Sequence, residues 1–220
     1  EYDVDPSVQA GQHVSLELHK GEVLGLAGES GCGKTTLAYA VQRLLKPPAV
    51  ITSGTTVLHE RDGDVLINDL NVDQMRAFRW DKASMVFQGA MNALNPVSNI
   101  GKQLADVFTT HRPDMSKSEI RKECGELLDI VGVGADRIRS FPHELSGGMR
   151  QRVAIALALS LDPKLMVFDE PTTALDVLVQ HEVMNTIREL QASEGFTAIL
   201  ISHDLGIVLE STTRVMVMHN

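Results

Sequence analysis

A glycine-rich loop between an apolar run and a helical segment is the feature that most restricts how this chain can fold. The apolar run at residues 23–27 leads into Gly28-Glu29-Ser30-Gly31-Cys32-Gly33-Lys34-Thr35, which matches the pattern G-x-x-x-x-G-K-[ST] at every fixed position. Residues 36–45 then have helical character. A chance glycine-rich turn is the alternative, but it would not bring strand, loop and helix into register. The sequence therefore predicts an α/β fold built around a P-loop.

Each part of this loop suits a nucleotide phosphate. Glycines let backbone N–H groups turn inward onto the phosphate oxygens, Lys34 can neutralise the β and γ oxygens, and Thr35 can offer its hydroxyl to Mg²⁺. Cys32 is expected to pack as a small residue rather than to react. The candidate nucleotide-binding residues are Gly28, Glu29, Ser30, Gly31, Cys32, Gly33, Lys34, Thr35 and Thr36.

Two further apolar runs also end at polar residues. Residues 165–168 lead into Asp169-Glu170, and residues 198–201 lead into Ser202-His203. Runs of this length are typical of strands in a parallel sheet covered on both faces, and they are short for buried helices. Because ligands of open α/β sheets bind at the carboxyl ends of the strands, we expect these residues to converge with the P-loop on one site.

The acidic pair has a chemical interpretation and a structural one. Successive residues of a strand point in opposite directions, so Asp169 can address a metal ion while Glu170 addresses an attacking water as general base. Alternatively, Glu170 only helps to start the turn at Pro171. An acidic pair at the end of a buried strand would cost stability without a partner, which favours the catalytic interpretation.

A second glycine turn, Leu145-Ser146-Gly147-Gly148-Met149-Arg150-Gln151, lies more than a hundred residues after the P-loop. It precedes a helical segment at about residues 148–161. A Ser hydroxyl and bare glycine amides at a helix N-terminus form an anion site, although the turn read alone is equally an ordinary loop or a helix cap. Because one ATP needs only one P-loop, we expect Ser146, Gly147 and Gly148 to serve the nucleotide of another copy.

Two regions fall outside the predicted core. Residues 55–68 alternate around Asp62-Gly63 as in a hairpin of an antiparallel lobe, which the half-exposed pattern at residues 14–18 could join as a further strand. Residues 90–141 show helical spacing of apolar residues, punctuated by Pro96 and Pro113. This region is interpreted as an inserted helical lobe.

Composition excludes several classes of protein. At 220 residues with 43% apolar content, the chain can bury a sizeable core, but no apolar run approaches the roughly 18–20 residues of a membrane span. The net charge of −9 argues against a nucleic-acid partner. Two cysteines and no secretory signal favour a reducing cytoplasm. The chain begins without Met and ends after a strand-like run at residues 215–218, so we expect it to be truncated at both ends.

The P-loop, the second glycine turn and the acidic pair together resemble the ABC-transporter ATPases along nearly the whole chain. The resemblance implies an α/β fold with a P-loop NTPase (RecA-like) core and parallel sheet, an antiparallel β lobe and an inserted α-helical lobe. It implies a single ABC ATPase domain over 1–220, divided into a β lobe at 1–22 and 53–70, a nucleotide-binding core at 23–52, 71–89 and 148–220, and a helical lobe with the signature motif at 90–147.

The resemblance also implies site roles that the residues alone leave open. Gln88 would contact Mg²⁺ and the attacking water, with a polar strand end as the alternative. His203 would contact the γ-phosphate, although a lone His at a strand end has most often no such role. Asp176 would contact the opposing subunit, and Tyr2 would stack on adenine. The implied metal ligands are Thr35, Gln88 and Asp169, and the implied cofactors are ATP and Mg²⁺.

Three longer matches narrow the resemblance to the ATPase subunits of oligopeptide, dipeptide and nickel importers, some of which move oligosaccharides. These are Phe87-Gln88-x-x-Met91-x-x-Leu94-Asn95-Pro96, residues 143–152 and residues 169–177. Gly89-Ala90 departs from the Asp-Pro usual in this branch, which leaves the coupling loop in doubt. Two rivals remain: a soluble ABC ATPase of DNA repair, chromosome condensation or translation, and a nucleotide-binding assembly subunit that does not hydrolyse ATP.

The implied partners follow from the same resemblance. They are a second ABC ATPase subunit, identical or homologous, two membrane-spanning permease subunits and, indirectly, an extracytoplasmic solute-binding protein. The implied location is the cytoplasmic face of the cell membrane.

Overall fold

Seven strands and seven helices make up the part of the chain that the structure, a computed structural model, describes: residues 10–11, 13–60 and 63–219. The strands are β1 (Val23–Gly28), β2 (Val57–Glu60), β3 (Gly63–Leu66), β4 (Ala83–Val86), β5 (Leu165–Asp169), β6 (Thr197–Ile201) and β7 (Arg214–Met218). The helices are α1 (Lys34–Val41), α2 (Val72–Asp81), α3 (Ile100–His111), α4 (Lys117–Ile130), α5 (Gly147–Leu159), α6 (Val177–Glu194) and α7 (Leu205–Ser211).

The core is a five-stranded parallel sheet in the order β4-β5-β6-β1-β7. Alternate residues of the central strands pack on opposite faces. Met166 and Phe168 face the cluster that contains α5 and α6, whereas Val167 lies in the cluster with Ala38 of α1. All three β5 side chains are fully buried. The prediction of a parallel sheet covered on both faces is therefore confirmed.

The antiparallel lobe is a two-stranded sheet in which β2 pairs with β3 from Val57–Leu66 to Glu60–Gly63. The expectation that residues 14–18 join it as a strand is wrong, because none of these residues lies in a strand. The alternation of apolar and polar residues in this segment has another cause. Leu18 packs against the core cluster of β1 and β6, whereas its neighbour Glu17 is exposed. Two ion pairs join the lobe to the core, from Lys82 (2.8 Å) and Lys164 (2.7 Å) to Glu60.

Helix ends depart from the sequence expectation where backbone conformation decides them. Helix α1 begins at Lys34 rather than residue 36, because Gly33 adopts a left-handed conformation (φ 95°) as its N-cap. It ends at Val41 rather than residue 45, since Arg43 has a positive φ of 50°. Helix α5 runs from Gly147 to Leu159, close to the predicted 148–161.

The inserted helical lobe shares its core with the parallel sheet. Ile100 and Leu104 of α3 and Leu128 of α4 are completely buried, and they belong to the same hydrophobic cluster as Phe168. Ser116 starts α4 with a capping box, in which its hydroxyl accepts from the Glu119 amide and Glu119 accepts from the Ser116 amide. Because the two regions share one core, packing changes inside the lobe should alter the stability of the whole chain.

Alanine substitutions at two helical glycines of this lobe are expected to have opposite effects on stability. A Cβ at Gly101 would lie 2.5 Å from Cγ1 and 2.7 Å from the carbonyl oxygen of Ile138, so Gly101→Ala is expected to lower the free energy of unfolding by about 1–3 kcal/mol. A Cβ at Gly125 would meet only Ala135 Cβ at 3.5 Å, so Gly125→Ala should raise it by about 0.5–1 kcal/mol through helix propensity. Urea denaturation of both variants measures the contrast, and a Gly101→Ala protein as stable as the wild type would contradict the packing argument.

Candidate active site

The strand order explains which side chains meet. The carboxyl ends of parallel strands share one edge of the sheet, and β5 lies between β4 and β6. The residues beyond these three strands are Gln88 after β4, Glu170 after β5 and His203 after β6. The P-loop follows β1, which is the next neighbour of β6. The structure thus brings together the residues that the sequence places after separate apolar runs.

The P-loop turns through three glycines with positive φ: Gly28 (150°), Gly31 (86°) and Gly33 (95°). At two of them a side chain would also collide with backbone, since a Cβ at Gly28 would meet the Met218 carbonyl and one at Gly33 the Ala10 carbonyl. Two of the three glycines are thus required by space as well as by conformation. The loop ends directly at the N-terminus of α1, where the helix dipole favours an anion.

Lys34 is held inside this loop. Its ammonium donates to the carbonyl oxygens of Gly28 (2.8 Å) and Glu29 (2.7 Å), and it lies 3.6 Å from the Cys32 sulfur. The residue is only 6% exposed, and Cys32 is buried beside it. Among the described residues, this buried ammonium has carbonyl partners but no ion pair, so a phosphate at the loop would add a directly bonded counter-charge to the more distant carboxylates of Asp169 and Glu170. Cys32 has the packing position that the sequence predicted.

Asp169 supplies a buried carboxylate that is only half satisfied. Oδ1 accepts a hydrogen bond from the Thr35 hydroxyl at 3.0 Å, whereas Oδ2 has no hydrogen-bond partner among the described residues. The residue is completely buried. Burial raises the pKa of Asp169, with a smaller upward contribution from Glu170, against the lowering effect of Thr35 and Lys34. An unsatisfied buried carboxylate beside a hydroxyl suits a hard cation such as Mg²⁺.

A cation held here would depend on few protein ligands. Among the described residues, no group of three or more His, Cys, Asp or Glu side chains could hold a metal ion. Mg²⁺ is commonly bound through one or two carboxylates together with waters and substrate phosphates. The donor set of Thr35, Gln88 and Asp169 has this character: one carboxylate, one hydroxyl and one amide.

Three side chains converge on the carboxylate of Glu170. His203 Nδ1 lies 3.2 Å from Oε1, whereas Oε2 accepts from Gln88 Nε2 at 2.9 Å and from the Thr173 hydroxyl at 2.8 Å. The side chain is 19% exposed, so water can still reach it. Burial raises the pKa of Glu170, but the hydrogen bonds from Thr173 and His203 and the charges of His203 and Lys34 outweigh it and lower the pKa overall. Glu170 is therefore ionised at neutral pH, as a general base must be.

The orientation of the Glu170 side chain relative to that of Asp169 has a different cause from the strand alternation that the sequence suggested. Strand β5 ends at Asp169, and Glu170 follows in a left-handed conformation with φ 47°. Its amide still continues the sheet by donating to the Ile201 carbonyl at 3.0 Å. Strand alternation alone therefore does not orient this side chain. The sequence analysis did not identify Thr173 as a partner of Glu170. The signal that could have indicated it is a hydroxyl residue three positions after an acidic residue in a turn.

The second glycine turn is a helix cap, the structural alternative considered from the sequence. The Ser146 hydroxyl accepts from the Met149 amide at 3.2 Å at the start of α5. Asp176 caps α6 in the same way, accepting from the Val179 amide at 3.0 Å. A Cβ at Gly148 would lie 2.5 Å from Cγ1 of Val179, so this glycine also lets the starts of α5 and α6 approach closely. Capping uses only part of the hydrogen-bonding capacity of Ser146, which remains exposed.

Tyr2, the candidate for stacking on adenine, lies outside the described residues. Thr36 lies in the first turn of α1, directly after Thr35. In the part of the chain that the structure describes, no helix combines the length and the apolar character needed to cross a membrane.

Known sequences resemble this chain closely. Residues 12–173 match the family model described as ABC transporter. The chain is 41% identical to the dipeptide transport ATP-binding protein DppD of Bacillus subtilis, over 97% of this chain and 63% of that protein. It is also 41% identical to the glutathione import ATP-binding protein GsiA of Pectobacterium atrosepticum, over 94% of this chain and 34% of that protein. The chain thus spans less than two thirds of the length of these relatives.

A solved structure has the same fold. The ATP-binding cassette MJ0796, determined as a dimer bound to ADP and Pi in a post-hydrolysis state, matches with a TM-score of 0.79. The match has 30% sequence identity and covers 95% of this chain and 86% of that one. The α/β architecture with a P-loop core is therefore confirmed.

Proposed function

The chain belongs to the ABC transporter family, and from that premise we propose that it is the subunit of an importer that binds and hydrolyses ATP to drive peptide uptake. The observation that carries this proposal is the convergence of Gln88 and His203 on the carboxylate of Glu170, at the edge of the sheet that carries Lys34 and Asp169. A base, a cation ligand and a phosphate-binding loop at one edge are the components that phosphoryl transfer to water requires.

Each residue has a role in this proposal. The amides of Gly28 to Thr36 and the ammonium of Lys34 bind the phosphates of ATP. Thr35, Asp169 and Gln88 would hold Mg²⁺, which would neutralise charge on the phosphate oxygens. Glu170 accepts a proton from the attacking water, and His203 turns from Glu170 to the γ-phosphate. Tyr2 stacks on the adenine ring.

The other half of each site comes from a facing subunit. Ser146, Gly147 and Gly148 would close over the γ-phosphate of ATP bound to the opposite P-loop, and Asp176 would contact the opposing subunit. ATP then stabilises the closed pair through contacts that only this pair makes, since a ligand shifts an equilibrium by its differential affinity for the two states. The solved dimer MJ0796, bound to ADP and Pi, supports such an arrangement.

The transport role draws on the names of the relatives. DppD is named for dipeptide transport and GsiA for glutathione import, so a peptide is the favoured cargo. The partners are an identical or homologous second ATPase subunit, two membrane-spanning permease subunits and an extracytoplasmic solute-binding protein. The chain would lie at the cytoplasmic face of the membrane, attached through the permeases.

Three measurements test this function. The purified protein should release phosphate from ATP in a Mg²⁺-dependent manner, and the protein isolated from its own cells should carry membrane subunits that mass spectrometry identifies. Vesicles containing the assembled complex should then take up a labelled dipeptide only with ATP present. ATP turnover without any attached membrane protein would instead favour a soluble ABC ATPase.

Replacing Ser146 by Arg tests the facing-subunit contact. In a Glu170→Gln background, which retains ATP, Ser146→Arg is expected to abolish the ATP-dependent dimer while leaving ATP affinity within about threefold, because the bulky cation blocks only the surface opposite the nucleotide. Loss of the Ser146 cap should cost about 1 kcal/mol of stability, which thermal unfolding detects. Size-exclusion chromatography with and without ATP measures the dimer.

The matched control for this experiment is Ser193→Arg. Ser193 is exposed in the last turn of α6, where a cation suits the helix dipole, and this end lies far from the start of α6 that carries Asp176. The control should dimerise like its parent. An ATP-dependent dimer that persists unchanged in Ser146→Arg would show that this turn does not meet a nucleotide.

A further inference from the structure

Among the described residues, the carboxylate of Glu170 has three side-chain partners, of which one belongs to its own turn. Gln88 and His203 reach it from the ends of neighbouring strands, whereas Thr173 is three residues along the chain. The Thr173 amide also donates to the Glu170 carbonyl at 3.2 Å, which closes the turn between them. Thr173 is thus joined to Glu170 by both its backbone and its side chain.

This turn needs to be held in place. Glu170 has a left-handed conformation (φ 47°), which is unfavourable for a residue that carries a Cβ. Its amide is bound to the Ile201 carbonyl at 3.0 Å, so the backbone of Glu170 is fixed to strand β6. A fixed backbone still leaves the side-chain torsions free. The Thr173 hydroxyl, at 2.8 Å from Oε2, restricts them.

The other two partners are committed elsewhere. Under the proposed function, Gln88 serves the metal ion and His203 the γ-phosphate, and both side chains are exposed. When they turn towards the nucleotide, Glu170 loses two of its three hydrogen-bonded contacts. Thr173 has no second partner among the side-chain hydrogen bonds of the described residues. It alone can orient the carboxylate throughout the reaction.

We propose that Thr173 is a positioning residue for ATP hydrolysis, which holds Oε2 of Glu170 so that Oε1 faces the attacking water. Water then gives its proton to Oε1, its oxygen bonds to the γ-phosphorus, and the bond from that phosphorus to the bridging oxygen breaks to release ADP and phosphate. This inference rests on the proposed function, because it assigns the orientation of the same general base. A turn-stabilising hydroxyl is the competing explanation.

The test is Thr173→Val, which keeps the shape and removes the hydroxyl donor. We expect the kcat for ATP to fall about tenfold, the value of one hydrogen bond to a charged group, with KM and the affinity for a fluorescent ATP analogue within about twofold of wild type. The melting temperature should change little, because Thr173 is only partly buried. A loss confined to kcat indicates an interaction that matters in the transition state.

Two further variants separate positioning from folding. Thr173→Ser restores the hydroxyl and should recover most of the kcat. Thr172→Val removes a neighbouring hydroxyl that makes no hydrogen bond to Glu170 among the described residues, and it should retain wild-type kcat. Wild-type kcat in Thr173→Val overturns the inference alone. If Thr173→Val loses both kcat and melting temperature, and Thr173→Ser does not restore them, the Thr173 hydroxyl only stabilises the turn and the inference is overturned. If the wild-type protein does not hydrolyse ATP, the proposed function is overturned and the inference with it.

Discussion

Replacing Glu170 by Gln is expected to lower the turnover number for ATP by on the order of 10²- to 10⁴-fold, the contribution of a positioned general base. ATP affinity should stay within about threefold, because Lys34 and the P-loop amides are unchanged and the amide does not contact the phosphates in this assignment. Phosphate release under steady-state conditions measures the first quantity, and equilibrium binding of a fluorescent ATP analogue measures the second.

The fold should tolerate this substitution because Gln has nearly the same shape. An amide oxygen in the place of Oε2 can still accept from Gln88 and Thr173, and an amide nitrogen in the place of Oε1 can donate to a neutral His203. Under the proposed function, what is lost is the basic oxygen that would take the proton from water. A variant that binds ATP without hydrolysing it should also accumulate the closed dimer.

The control for this prediction is Glu189→Gln, which removes an exposed carboxylate from the middle of α6. It should hydrolyse ATP at the wild-type rate, since surface substitutions far from the site usually have small effects. Phosphate release near the wild-type rate in Glu170→Gln would refute the role of Glu170 as base. The convergence of Gln88 and His203 would then be a structural hydrogen-bond network.

The sequence predicted those parts of the site that depend on local pattern. The P-loop, the acidic end of β5 and the position of His203 follow from apolar runs and the residues directly after them, because a strand ends where its apolar run ends. The pattern did not reveal that β5 lies between β4 and β6. Strand order is set by packing between distant segments, and only that order explains why Gln88 and His203 reach the same carboxylate.

Other features were hidden because the relevant contact is specific to the folded chain. Residues 14–18 have the alternation of a strand, but Leu18 packs against the parallel sheet and no strand forms there. The left-handed conformation of Glu170 is unusual for its residue type, so no propensity predicts it. The hydrogen bond from the Thr173 hydroxyl to Oε2 is a contact of the folded turn that no sequence pattern shows.

Replacing Asp169 by Asn is expected to separate activity from stability. Turnover should fall on the order of 10²-fold or more, because the carboxylate that suits Mg²⁺ loses its charge while the metal supplies several kcal/mol of transition-state stabilisation. The free energy of unfolding without nucleotide should not fall and should rise by about 1 kcal/mol, since a fully buried charge with an unsatisfied Oδ2 is removed and the acceptor for Thr35 is retained.

Urea denaturation and Mg²⁺-dependent phosphate release measure these two effects in the same preparation. A matched comparison is Asp176→Asn, in which Asn remains a good N-cap for α6, so stability should be nearly unchanged. Most substitutions of buried residues lower the stability of the protein. Asp169→Asn would also lower it if the carboxylate of Asp169 served only folding. If Asp169→Asn unfolded more easily than the wild type, the carboxylate would be a structural element held by Thr35. A gain in stability with lost turnover would identify Asp169 as a group whose burial serves the metal and the nucleotide.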